Sequence, residues 1–112
     1  ELIEHLFLPK KFLINIKSIM SDNTKLIITT PNFLMWSHRI KMLFGKFAYT
    51  EDGFMDEGHI HFFTHNLLKK TVESIGMKVV GINNIIHPKI PKCIGKLNYN
   101  LFSFQVILKI SK

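Results

Sequence analysis

One cysteine, one arginine, one tryptophan and no Gly-x-Gly: several things are scarce in this 112-residue chain, and each scarcity excludes something. Cys93 is the only cysteine, so no internal disulfide can form and the chain suits a reducing cytoplasm. It sits in a Pro- and Lys-rich loop, with no partner that would make it a nucleophile. No apolar run approaches the roughly 20 residues that a membrane-spanning helix needs. The opening ELIEHLFLPKK has acids where a secretory signal has its basic segment. The first residue is Glu1, not Met, and a fragment of a longer protein is expected. The formal net charge of +7 invites a nucleic-acid partner, but Arg39 is the sole arginine. Base readout and bidentate phosphate clamping favour arginine. The lysines are scattered, with no run longer than two, so a nucleic-acid partner is not expected.

What is present is core material. Apolar residues make up 46% of the chain and charged residues 21%, with ten Phe among them, which is the balance of a folded globular domain. Residues 9–20, PKKFLINIKSIM, place Phe12, Leu13, Ile16, Ile19 and Met20 at helical spacing, and Pro9 suits the first turn. KLIITT is short and apolar on both faces, which predicts a strand covered on both sides. Residues 34–44 read as a second helix with Met35, Trp36, Ile40, Leu43 and Phe44 on one face and Gly45 as its stop. The segment 45–63 carries four of the eight acids and several aromatics, and reads as a long ordered loop. Thr64 can cap a third helix that ends at Gly76, with Leu67, Leu68, Val72 and Ile75 buried. MKVVGINNII predicts a strand, residues 87–100 a punctuated loop, and LFSFQVILKIS a last strand. The first two strands suit a parallel crossover, and the last two can pair as an antiparallel hairpin, an α/β pattern.

Several pieces, in order, resemble class I S-adenosylmethionine-dependent methyltransferases of the small-molecule type. Glu4-His5, then Pro9, then Phe12-Leu13 resembles the segment after that family's fourth strand. KLIITTPN resembles the fifth strand and its Pro-Asn ending; Trp36, Arg39 and Gly45 resemble the helical insertion that follows. Asp56, His59 and Phe62-Phe63-Thr64 resemble the D-x-x-H-x-x-x-[FY]-[ST] stretch, and Gly76-Met77-Lys78-Val79 the helix-to-strand step after it. The resemblance covers about residues 1–86. Leu8 departs from the family's Asp before the proline, and SDNTK replaces its Lys-Pro-Gly-Gly turn.

The resemblance implies a partial Rossmann-like methyltransferase fold: a three-stranded mixed sheet with flanking helices, its last strand antiparallel and lying between the other two. Residues 1–112 would form the C-terminal half of one domain, without the cofactor-binding glycine loop, and residues 33–63 an insertion or lid over the active face. The implied activity is transfer of a methyl group from S-adenosylmethionine to a small-molecule acceptor, by the complete protein rather than by this piece.

In a doubly wound sheet, ligands bind beyond the carboxyl ends of the strands. By resemblance, Glu1, Leu2, Glu4 and His5 border the cofactor; Glu4 can equally serve the helix start electrostatically. Asn32 can bond substrate or loop backbone, Trp36 can be a substrate platform or core, and Arg39 can pair with substrate or with solvent. His59 is the candidate base for the acceptor's proton, with Asp56 to orient it; both can instead tie down their loop by hydrogen bonds. HIHFFTH also reads as H-x-H-x3-H, a metal-type spacing, but the direction of His65 is undefined and no metal is assigned. His38 and His87 read as surface histidines. Two other classes stay open: a non-enzymatic assembly module that oligomerises through an exposed sheet edge, and a basic nucleic-acid binder.

Overall fold

The computed structural model describes residues 2–49 and 55–112. A 3-10 turn at Ile3–His5 leads into α1 (Pro9–Ile19), β1 (Lys25–Pro31), α2 (Trp36–Leu43), α3 (His65–Glu73), β2 (Lys78–Ile86), α4 (Lys92–Gly95), α5 (Tyr99–Phe102) and β3 (Ser103–Ser111). The sheet order is β1-β3-β2. β3 runs antiparallel to both neighbours, pairing Ile28 with Leu108 on one side and Ile82 with Leu108 on the other. The last strand therefore lies between the first two, where the resemblance puts it. The expected mixed sheet is corrected in one respect: every adjacent pair is antiparallel, because β3 separates β1 and β2, which run the same way.

One face of this sheet holds the core. Leu26 and Ile28 of β1, Val79 of β2 and Val106, Leu108 and Ile110 of β3 meet Leu13 of α1 and Leu68 and Val72 of α3. Thr64 caps α3 as predicted, its hydroxyl accepting the Leu67 N–H at 3.2 Å. Gly45 and Gly76, the predicted helix stops, both take positive φ, where a Cβ is strained. Lys17 of α1 reaches the carbonyls of Ile75 and Gly76 at 2.9 and 3.1 Å, which brings a cation to the C-terminal end of α3 and ties the two helices together.

Among the described residues, nothing comparable covers the other face. Ile27 is 64% exposed, so the strand predicted to be covered on both sides is covered on one. The helices likewise leave part of their apolar stripes uncovered. Ile19 and Leu67 point outward, as do Ile40 and Leu43 of α2 and Phe44 just past its end. The stretch read as a loop after β2 contains α4 and α5, each one turn long, and Leu101-Phe102 belong to α5 rather than to the strand. Four residues are too few to show a helical period in sequence. Of the expected lid over 33–63, residues 50–54 lie outside the described residues.

Candidate functional site

The site is built from three segments that are distant in sequence. The 3-10 turn turns Ile3 into the core and leaves Glu4 beneath the segment 59–63. The Glu4 carbonyl accepts the backbone N–H groups of Ile60 and His61, both at 3.0 Å. On the other side the Phe33 N–H donates to the Phe63 carbonyl at 3.2 Å, and the Phe33 and Phe62 rings lie 4.9 Å apart. The segment is thus strung between the 3-10 turn and the chain just past β1, which places His59 at the carboxyl end of that strand.

Asp56 shapes the approach to His59. Its carboxylate accepts the Gly58 N–H at 2.6 Å, and its carbonyl accepts the His59 N–H at 3.0 Å. The Gly58 carbonyl in turn accepts a hydrogen bond from His5 Nδ1 at 2.9 Å. A carbonyl can only accept, so Nδ1 of His5 carries a proton. A Cβ on Gly58 would come within 2.8 Å of the Asp56 carboxylate and 3.1 Å of His5 Nδ1, so a larger residue here displaces one of these side chains.

These contacts converge on a small group. The His5 and His59 rings lie 4.5 Å apart, tilted by 55°. Glu4, His5 and His59 each offer one ligand-type atom, all within 4.8 Å of one another. Glu4 is 1% exposed, and neither carboxylate oxygen has a hydrogen-bond partner. The Thr30 hydroxyl is likewise buried and unpartnered. Glu4, Thr30, Pro31, His59 and Phe63 line a cavity of about 10 Å³, room for one water at most. Burying a carboxyl group without a hydrogen-bond partner costs desolvation free energy, which marks Glu4 as an unsatisfied polar group of the fold.

The other expected residues fall elsewhere. Leu2 is half-exposed at the rim of a separate apolar hollow of about 210 Å³, beside Phe12 and Ile16 of α1 and residues 26–29 of β1. Glu1 lies outside the described residues. Asn32 is fully buried, and its amide donates to the carbonyls of Asn100 and Ser103 at 3.0 and 2.9 Å while accepting the Leu34 N–H. Of its two readings, the backbone one describes these contacts. Arg39 is exposed and donates through Nε to the Leu34 carbonyl at 2.7 Å. Trp36 packs edge-on to His87 at 6.2 Å, with its indole N–H buried and unpartnered. Neither Trp36 nor Arg39 lines the Glu4 cavity.

Two histidine readings change. His38 is buried rather than on the surface; burial, and then the nearby Lys41 charge, hold its pKa below the usual 6.5. His87 sits half-buried between Trp36 and Phe104. The H-x-H-x3-H spacing does not assemble as one set. His65 is turned to the Asn84 side chain and His61 to the Phe7 carbonyl. His59 is instead grouped with Glu4 and His5, and that grouping was missed in sequence. Its one signal was the Glu-His pair itself, since nothing in a local pattern says which distant loop lies over it. No protein-family model matches the chain, and no curated protein does.

Proposed function

We propose that this chain is the C-terminal part of a class I S-adenosylmethionine-dependent methyltransferase acting on a small-molecule acceptor. One observation carries the reading. Glu4-His5 and Asp56-x-x-His59, the two motifs that resemble the family's functional segments, meet at the carboxyl end of β1 beside Thr30 and Pro31, where ligands bind in α/β sheets. The strand order β1-β3-β2 supports it further.

The cofactor, when bound, supplies an electrophilic methyl group. The residues present fit the margin of its site rather than the whole: the unpartnered Glu4 carboxylate lies at the carboxyl end of β1, Leu2 borders the separate hollow beside α1, and the glycine loop is expected outside these residues. His59 receives the proton that the acceptor hydroxyl or amine loses. Asp56 holds the turn that presents His59, a positioning role. The coding sequence upstream of Glu1 tests this reading: a strand followed by Gly-x-Gly is expected, and an adjacent start codon after a stop contradicts it.

A second reading, a non-enzymatic assembly module, is favoured by the open face of the sheet, where Ile27 and Ile85 are 64% and 46% exposed. Light scattering separates the two, since a clean monomer excludes obligate assembly.

A further inference from the structure

We infer that Glu4, His5 and His59 form a binding site for one divalent first-row transition-metal ion of the zinc class. The inference stands on the geometry of the three side chains and does not depend on methyl transfer.

Four features point to an ion. The donor set is one carboxylate and two imidazoles, a combination that zinc, iron(II) and cobalt(II) accept and that magnesium and calcium, which prefer all-oxygen shells, do not. The three donor atoms already lie within 4.8 Å of one another. Four-coordinate zinc with bonds of about 2.0–2.1 Å sets its ligand atoms about 3.3–3.4 Å apart.

The second feature is the Glu4 carboxylate, enclosed by protein and lacking any hydrogen bond on either oxygen. A cation coordinated there supplies the charge partner that the fold withholds. The third is the orientation of His5. Ligating histidines almost always donate their second ring N–H to a carbonyl or carboxylate, which fixes the tautomer and aims the other nitrogen at the metal. His5 has this arrangement: Nδ1 donates to the Gly58 carbonyl, so Nε2 keeps its lone pair for the ion. The fourth is access. His5 is exposed while Glu4 and His59 are buried, so the group opens to solvent on one side. Three protein ligands leave a coordination position for water or for a substrate oxygen. Where the ion is bound, His59 serves as a ligand and not as a proton acceptor.

The test is titration of the tag-free chain with cobalt(II), read by visible absorption, and with zinc(II), read by calorimetry. One equivalent is expected to bind, with zinc displacing cobalt and magnesium at millimolar concentration displacing neither. His59→Ala and Glu4→Gln are each expected to weaken zinc binding at least tenfold. Glu4 is buried, so His5→Ala provides the variant at an exposed position; it is expected to weaken zinc by the same margin with an unchanged circular dichroism spectrum. His87→Ala is expected to bind as the parent does. Absence of cobalt binding by the parent chain overturns the inference, and so does parent-like zinc affinity in both His5→Ala and His59→Ala.

Discussion

The two faces of the sheet are made by the same three strands and have opposite fates. Ile28 is 7% exposed and its neighbour Ile27 is 64% exposed, although both are isoleucines in the middle of β1. Ile107 and Leu108 repeat the contrast on β3, where Leu108 is fully buried and Ile107 is half-covered. The difference lies in what packs above each face. α1 and α3 both lie over the Leu108 side, and their apolar stripes meet it. Over the other side, Ile27, Ile85 and Ile107 share the surface with Lys109, Asn83 and Gln105. A strand that is apolar on both faces states a demand for two covers, and only one is built from the described residues.

The sharpest way to probe that contrast is a pair of truncations on opposite faces of the sheet. Leu108→Ala is expected to cost about 2–5 kcal/mol in urea unfolding, the range for emptying a leucine from a packed core. Ile27→Ser is expected to change stability by only about 0.5 kcal/mol, as at an ordinary surface position. A large loss in Ile27→Ser would break the comparison and show that the open face is covered in solution, as the assembly reading requires.

Next in size is the joint where β1 ends. Asn32→Ala leaves the Asn100 and Ser103 carbonyls without their donor in a buried setting, and a loss of about 1–3 kcal/mol in the same assay is expected. Thr64→Ala removes the cap of α3, the helix that covers the core face, and is expected to cost about 1 kcal/mol. The smallest effect is a pH dependence on α2. The folded pKa of His38 lies below its unfolded value of 6.5, so the unfolded state binds more protons in between. The neutral-His38 contribution is complete above pH 6.5 and is lost as the pH falls from there through the folded pKa. The slope of stability against pH in that window is expected to be shallower in His38→Gln, measured by thermal unfolding across it.

How much was legible follows the same line. The positions of α1, β1, α3, β2 and the body of β3 were readable because a helical or strand period shows in seven or more residues. Which side of each period would be buried was only half readable. Amphipathicity says that a helix can be covered, not that a partner exists, and the outward Leu43 of α2 and Phe44 just past its end are the result. His38 looked like a surface residue because its neighbours are polar, yet its burial is set by packing in three dimensions. In the site, His59 and Asp56 were legible from a local motif. The burial of Glu4, its missing partner and its meeting with His59 depend on a pairing across more than fifty residues, which no local pattern encodes.

The proposed function makes these residues one side of a methyltransferase active centre and expects the cofactor loop outside them. Calorimetric titration of S-adenosylmethionine into the full-length protein, beside the same titration into residues 1–112, tests it most directly. The account predicts saturable binding by the full-length protein and none by the shorter chain. Absence of binding by the full-length protein would contradict it.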